Sequence, residues 1–204
     1  QLGEMWKALF GPIGFLLILA FLVSFGLANF EAVFGLYALE RYEYGPARVG
    51  TILTVIGLAS ALVQGGLTGP LTRRWGEVMV IRASLLGSAI GFVLMLQAQT
   101  YVAVLVTVSF FIISNALLRP AVSSLISRRT SGGQGVAMGL NNSFMSLGRM
   151  VGPASAGFAF DLNLNYPYWS GSFIMLVGFC LSLGWLKPTD SVPEQPVSET
   201  KPLL

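Results

Sequence analysis

The chain has 204 residues, of which 54% are hydrophobic and only 10% are charged. Soluble domains carry about 25% charged residues, so a soluble fold of this size would lack the polar surface that water requires. The formal net charge of +3 does not indicate nucleic-acid binding, because the basic residues form no tract and fall between apolar runs.

Six segments are long and apolar enough to cross a bilayer as helices, which takes about 20 residues each. They are too long and too evenly apolar for the strands of a membrane β-barrel. The sequence therefore predicts an all-α membrane protein with one bundle over residues 1–187. The predicted spans are 12–39, 49–71, 78–98, 101–126, 135–160 and 166–186.

Basic residues gather on one side of the predicted bundle. If the six helices alternate in direction, Lys7, Arg73–Arg74, Arg128–Arg129 and Lys187 all fall on that side. Lysine and arginine are enriched in cytoplasmic loops. We therefore expect a multi-pass protein of the cell (inner) membrane with both termini in the cytoplasm.

The end of the chain differs in composition from the bundle. The segment KPTDSVPEQPVSETKPLL begins at Lys187 and mixes prolines with alternating charges. A segment of this kind has too little apolar surface to fold by itself. Residues 188–204 are predicted to form a disordered cytoplasmic tail.

Three charged residues lie well inside the predicted spans: Glu31, Arg119 and Arg149. Each costs a few kcal/mol to insert, so each needs a partner, water or a function. Counted along their helices, Glu31 and Arg149 lie between the middle and the outer half of the membrane, where they pair if their faces meet. Arg119 lies nearer the cytoplasmic end of its helix and is able to snorkel. Glu31 is the candidate proton-coupling residue, and a static ion pair with Arg149 is the structural alternative.

Polar and aromatic side chains accompany these charges at helical spacing. Residues four apart share one face of a helix, and such faces occur on the first, fourth and fifth spans. Together they predict a water-filled cavity at the bundle axis, although hydrogen bonds between helices and aromatic packing remain alternatives. The candidate cavity residues are Asn29, Phe34, Phe111, Asn115, Arg119, Asn141, Asn142, Met145 and Arg149.

The fifth span contains a series of glycines around one proline, in GLNNSFMSLGRMVGPASAG, residues 139–157. Small residues let helices approach closely, and proline removes a backbone hydrogen bond, so the helix is expected to pack tightly and to bend at one place. The spacing resembles the G-x8-G-x3-G-P-x2-G-G motif of drug:proton antiporters of the major facilitator superfamily, with Ala156 as the departure. The matching residues are Gly139, Gly148, Gly152, Pro153 and Gly157.

A second resemblance lies between the second and third spans, in GPLTRRWGE, residues 69–77. It is similar to the cytoplasmic loop motif G-x-L-a-D-R-x-G-R-K of the same superfamily. Arg73 occupies the aspartate position and Glu77 a basic position, as in the degenerate form usual for the second half of these twelve-helix proteins. The departures put the gating salt bridge of the complete motif in doubt. The residues that fit are Gly69, Leu71, Arg74 and Gly76.

The resemblance covers about residues 10–187 and extends to tetracycline-type efflux proteins. It implies the C-terminal half, helices 7–12, of a drug-efflux antiporter that faces an N-terminal six-helix half across a central cavity. It also implies a proton gradient rather than a cofactor as the energy source. The implied partners are membrane lipid, a small-molecule substrate and the N-terminal half, in the same or another chain.

Two other functions stay open. One is a metabolite or anion transporter of the same superfamily, in which Arg119 and Arg149 would bind an anion. The other is a non-transporting half-transporter subunit. An enzyme is the least favoured reading, because the chain has no histidine and no paired intramembrane carboxylates or nucleophile motif, and no metal site is predicted.

Overall fold

Long α-helices make up the part of the chain that the structure describes, which is residues 13–130 and 133–187 of a computed structural model. A π-helical turn, Val63–Leu67, joins the second helix to the third. The prediction of an all-α protein is confirmed. The predicted tail, residues 188–204, and the first residue of the first predicted span lie outside the described residues. The helices are α1 (Gly14–Tyr42), α2 (Pro46–Leu62), α3 (Thr68–Gln97), α4 (Tyr101–Arg129), α5 (Gln134–Leu162) and α6 (Tyr166–Trp185).

Four helical stretches of the described chain are long and apolar enough to cross a membrane. One of them, Pro46–Gln97, has 52 residues and contains the second predicted span and all but the last residue of the third. Helix α5 is not among the four, because its glycines, asparagines and arginine lower its hydropathy. The count of six spans therefore remains a prediction. The four stretches are Gly14–Tyr42, Pro46–Gln97, Tyr101–Arg129 and Tyr166–Trp185.

The long stretch from Pro46 to Gln97 is interrupted at Gly76. Its backbone has φ 76° and ψ 155°, a region that residues with a Cβ rarely occupy. This glycine belongs to the loop motif and lies between the second and third predicted spans. The motif glycine is therefore the point at which one helical segment ends and the next begins.

Helices α1 and α5 pack backbone to backbone through two motif glycines. A Cβ added to Gly148 would lie 2.5 Å from the carbonyl oxygen of Phe21, and one added to Gly152 would lie 2.9 Å from that of Phe25. Small residues permit this approach in membrane helices. At Gly139 and Gly157 an added Cβ would meet nothing within 4 Å, so only the central pair of the motif makes the close contact.

Helix α3 is held to α4 and α6 on the other side of the bundle. An added Cβ at Gly91 would lie 2.9 Å from the Cα of Phe111, and Ser172 Oγ donates to the carbonyl of Ala89 at 2.9 Å. Arg82 donates to the carbonyls of Ser182 and Leu186 at the end of α6. These contacts leave α1, α2, α4 and α5 to surround a cavity.

Candidate functional site

A cavity of about 240 Å³ lies between α1, α2, α4 and α5. Helices α1, α2 and α4 provide its apolar walls, whereas α5 contributes one charged side chain, that of Arg149. Apolar walls with a few polar groups are usual for sites that bind small molecules. The polar lining residues are Ser24, Glu31, Ser60, Gln64, Asn115, Arg119 and Arg149, and the larger apolar ones are Val23, Leu27, Phe30, Leu53, Ile56 and Ile112.

The three charges inside the predicted spans all line this cavity. Arg149 is near enough to Glu31 to act on its carboxylate electrostatically. The two side chains form no ion pair in the described part of the chain, where Glu77 and Arg128 do. Glu31 and Arg149 therefore face a shared space instead of closing on each other.

Asn115 and Arg119 lie one turn apart on α4, and both line the cavity. The Nδ2 group of Asn115 is buried and has no hydrogen-bond acceptor. Arg119 makes no hydrogen bond or ion pair with any other described residue. Among the lining side chains of α4, Arg119 therefore presents hydrogen-bond donors to the cavity, whereas the amide donor of Asn115 has no accessible surface there.

Arg119 also borders a second, smaller pocket between α1, α4 and α5, together with Asn141 and Met145. Asn141 donates from Nδ2 to Ser123 Oγ at 3.3 Å, and its Oδ1 is buried without a donor. Asn141 and Met145 thus border the smaller pocket beside Arg119, and they do not line the main cavity for which the sequence proposed them.

Four of the predicted cavity residues lie elsewhere. Asn29 is buried, and neither its Nδ2 nor its Oδ1 has a partner. Phe34 and Phe111 pack against Phe30 with ring centroids 4.9 Å and 5.2 Å apart, so they form aromatic core behind the cavity wall. Asn142 is exposed and lines neither pocket.

Helix α2 and its π-helical turn form a cavity wall that the sequence pattern did not reveal. Gln64 Nε2 donates to Ser60 Oγ at 2.9 Å, one turn away, and both residues line the cavity. The available signal was an amide and a hydroxyl four residues apart within an uncharged run. π-helical turns are frequent at functional sites, which supports a functional role for this part of the cavity wall.

The loop motif carries an ion pair at its last residue. Arg128 Nε lies 3.1 Å from Glu77 Oε1, and Ser124 donates to the same oxygen at 3.2 Å. Arg73 occupies the position of the motif aspartate, and Arg74 follows it. Both side chains are exposed. The departure at Glu77 thus provides a contact between α3 and α4 that the complete motif, with a basic residue there, would not form.

Comparison with known proteins places the chain among transporters. A sequence profile of the Major Facilitator Superfamily matches residues 16–203. Multidrug resistance protein 1 of Bacillus subtilis (strain 168) is 34% identical over 185 residues, which are 90% of this chain and 47% of that protein. Quinolone resistance protein NorA of Staphylococcus aureus (strain COL) is 30% identical over 87% of this chain and 45% of its own length.

The fold is also found in a solved structure. The human organic anion transporter MFSD10 (TETRAN) aligns with a TM-score of 0.73 and 22% identity, covering 83% of this chain and 40% of that one. At this identity the likeness concerns the fold alone. The chain spans about half the length of the curated relatives it matches.

Proposed function

Because the chain belongs to the Major Facilitator Superfamily, we propose that it forms helices 7–12 of a secondary transporter that exports amphipathic small molecules in exchange for protons. The superfamily consists of transporters and not of enzymes. The relatives named for multidrug and quinolone resistance support drug export. Because the chain covers 47% of the first of these relatives, an N-terminal half would supply the rest of the pathway.

One observation carries the proposal: Glu31, a carboxylate inside a long apolar helix, lines a cavity instead of being closed in an ion pair. A carboxylate whose access to water changes also changes its protonation. In alternating access, two bundles rock about a site near the middle of the membrane. Each half-cycle would expose Glu31 to one side, so that it takes up a proton there and releases it to the other.

Arg149 has a second role in this scheme. It acts on Glu31 electrostatically and forms no ion pair with it, so this influence would change whenever the Arg149 side chain changes its distance from the carboxylate. The close packing at Gly148 and Gly152 makes α1 and α5 move as one unit near these glycines. We therefore expect the transport cycle to change the distance between Arg149 and Glu31 mainly through the side-chain conformation of Arg149, and less through a shift of α5 relative to α1.

The membrane arrangement follows from the same scheme. The chain is a multi-pass membrane protein, and the proposed location is the cell membrane, with both ends of the bundle in the cytoplasm. Arg73, Arg74, Arg128 and Arg129 would then lie on the cytoplasmic side. The proton gradient across that membrane would be the energy source, with no cofactor.

The test replaces Glu31 by glutamine in the full-length protein reconstituted in liposomes. Glu31→Gln is expected to abolish export of a fluorescent drug driven by an imposed pH gradient, while downhill exchange of the same drug continues. Glu40→Gln is the matched control, because Glu40 is exposed near the end of the same helix. Gradient-driven export that persists unchanged in Glu31→Gln would rule out the coupling role.

Exchange of an anionic metabolite is the second candidate function. It is favoured by the two guanidinium groups, Arg119 and Arg149, that face one carboxylate in the cavity. Transport of a radiolabelled organic anion in these liposomes, without stimulation by a pH gradient, would favour exchange over proton-coupled export. A protein that inserts but moves neither class of compound would indicate a non-transporting subunit.

A further inference from the structure

We infer that Gln64, on the α2 side of the cavity, is a specificity-determining residue whose side-chain carbonyl accepts a hydrogen bond from the transported molecule. The ligand class is an amphiphile that carries an N–H or O–H donor beside an apolar body. This inference deepens the proposed function and rests on it only in that the cavity receives a substrate. It adds the polar group by which a substrate is selected and the residues that recognise it.

The first step of the argument is the hydrogen bonding of the Gln64 amide. Its Nε2 donates to Ser60 Oγ at 2.9 Å, and Ser60 lies one turn earlier on the same helix face. This bond occupies the donor end of the amide and restrains the rotation of its plane. The Oε1 atom accepts from no other residue of the described chain, and the exposed side chain lines the cavity. The amide therefore offers a molecule in the cavity a free acceptor whose orientation Ser60 restrains.

The second step is the backbone that carries Gln64, which is the π-helical turn Val63–Leu67. Thr68 closes this turn by donating both its backbone N–H and its hydroxyl to the carbonyl of Val63. The two residues after Gln64 are glycines, and a Cβ added to either would meet nothing within 4 Å. No side chain at these two positions covers the Gln64 amide, so a ligand can reach it.

The third step is the apolar surface that precedes Gln64 on α2. Leu53, Ile56 and Ser60 all line the cavity, and their helical spacing places them in one stripe that ends at Gln64. Gly57 lines the cavity within this stripe, and a Cβ added there would meet nothing within 4 Å. The missing side chain leaves room for an apolar body against the helix. A ligand whose body lies on this stripe brings its polar end to Gln64.

Selection follows from the cost of covering the Gln64 carbonyl. Water hydrates this carbonyl in the empty cavity, and a ligand that covers it without donating a hydrogen bond leaves it unpaired. A site built to bind a substrate N–H rejects an analogue that lacks the N–H for this reason. Glu31 is the charged acceptor of the cavity, and protonation turns its carboxylate into a donor. The Gln64 amide does not titrate, so its selection should persist when Glu31 is neutral.

The experiment measures binding of two neutral fluorophores to the full-length protein in lipid nanodiscs. N-butyl dansylamide carries a sulfonamide N–H, and N-butyl-N-methyl dansylamide is the analogue without it. Dissociation constants at pH 7.5 are obtained from dansyl fluorescence after subtraction of the signal from empty nanodiscs. The readout is the change in the ratio of the two constants between variants, because the partition of each probe into lipid is the same in every sample.

The wild-type protein is expected to favour the N–H probe about fivefold more than Gln64→Met does, as one net hydrogen bond implies. Gln64→Glu keeps an acceptor at this position and should keep the preference. Ser60→Ala should lower it by about twofold, because Nε2 is no longer held. Glu31→Gln should leave the ratio unchanged even where it alters both affinities. Gln97→Met is the matched control, because Gln97 is exposed at the end of α3 and lines neither pocket.

Three results would overturn the inference. They are the same ratio in the wild type and in Gln64→Met, loss of the preference in Glu31→Gln, and no saturable binding of either probe. The first is expected if Gln64 contacts the proposed N-terminal half instead of the substrate, and the second if the carboxylate is the acceptor. A retained N–H preference without proton-driven export would refute the export proposal while leaving the role of Gln64 intact.

Discussion

Arg128 at the end of α4 contacts Glu77, the residue that follows the helix break at Gly76, with 3.1 Å between Nε and Oε1. The two ends of the pair are unequally buried, since the side chain of Glu77 is 5% exposed and that of Arg128 is 39% exposed. Ser124 donates to the same carboxylate oxygen from one turn earlier on α4. The pair therefore fixes the start of the second segment of α3 to the end of α4.

This asymmetry predicts that removing the arginine costs more than removing the carboxylate. Arg128→Gln leaves a buried charge with only Ser124 as a described donor, for which a loss of about 3–5 kcal/mol is typical. Glu77→Gln leaves a half-exposed guanidinium that water can solvate, so we expect a loss of about 1 kcal/mol. Thermal unfolding of the two purified variants in detergent shows which of them is destabilised more.

Arg74→Gln is the control for this comparison, because Arg74 is an exposed neighbour in the same motif. It should leave the unfolding midpoint within the error of the wild type. The double variant at Glu77 and Arg128 should be less destabilised than the sum of the single changes, since neither charge remains. Equal destabilisation by the two single changes would mean that water reaches the Glu77 carboxylate as readily as it reaches the Arg128 guanidinium.

The glycines of α5 are predicted to differ sharply in their tolerance of alanine. At Gly148 and Gly152 an added Cβ would meet backbone atoms of α1 at 2.5 Å and 2.9 Å, whereas at Gly139 it would meet nothing within 4 Å. Gly148→Ala and Gly152→Ala should each cost about 1–3 kcal/mol, because backbone atoms cannot rotate away from the clash. Gly139→Ala should be neutral or stabilising by up to about 1 kcal/mol, as alanine favours helix.

The measurement is the unfolding midpoint of each variant together with its yield in the membrane fraction. A Gly139→Ala variant as unstable as Gly148→Ala would show that another surface, such as that of the proposed N-terminal half, packs against that glycine. Pro153 lies one residue beyond Gly152, and α5 continues through it to Leu162. The motif therefore provides a packing surface between α1 and α5 at Gly148 and Gly152.

Some of these features could be predicted from the sequence because their signals are local. Long uncharged runs indicate membrane helices, and the glycine spacing of α5 indicates the superfamily without any knowledge of tertiary contacts. The charges Glu31, Arg119 and Arg149 could be assigned to a cavity because bare charges in lipid are costly. The helical period of 3.6 residues was enough to place each charge on a helix face with other polar side chains, and these faces predicted a shared cavity.

The rest of the site depends on which side of each helix meets its neighbours. Asn29 precedes Glu31 by two residues, which is about 200° around a helix, so the two cannot both face the same cavity. Phe34 is closer in angle, but it packs on Phe30 in the core. Ser60 on α2 and Gln64 in the π-helical turn carry no charge, so the cost of burying charge gave no reason to assign them to the cavity. Only the packing of α2 against α4 brings them to the cavity.

The assignment of α2 and its π-helical turn to the cavity wall predicts a difference in water access between their two faces. In a Cys180→Ser background, Ser60→Cys and Gln64→Cys should react with a membrane-impermeant maleimide in the full-length protein. Leu58→Cys should not react, because Leu58 is an exposed apolar residue that does not line the cavity, as expected of a side chain in contact with lipid. Thiols react as thiolates, which form in water and not in hydrocarbon.

Cys180 is the chain's one cysteine, and its replacement removes the background label that its thiol would take up, above all in denatured protein. Denatured protein should label equally at all three positions, which controls for expression and reactivity. Protection of Ser60→Cys and Gln64→Cys by an excess of transported drug would place the substrate against α2. Labelling of Leu58→Cys alone would reverse the assignment and turn this face of α2 toward lipid.

The helix break at Gly76 predicts that the two motif glycines are not equivalent. Gly76 has φ 76° and ψ 155°, where an L-residue carries about 1–3 kcal/mol of backbone strain. Gly69 lies within the helix, and an added Cβ there would meet nothing within 4 Å. Gly76→Ala should therefore lower the unfolding midpoint, whereas Gly69→Ala should leave it unchanged or raise it.

Because the break immediately precedes Glu77, Gly76→Ala should also weaken the contact with Arg128. The effect of Arg128→Gln should then be smaller in the Gly76→Ala background than in the wild type. Full additivity of the two changes would mean that the break and the ion pair are independent.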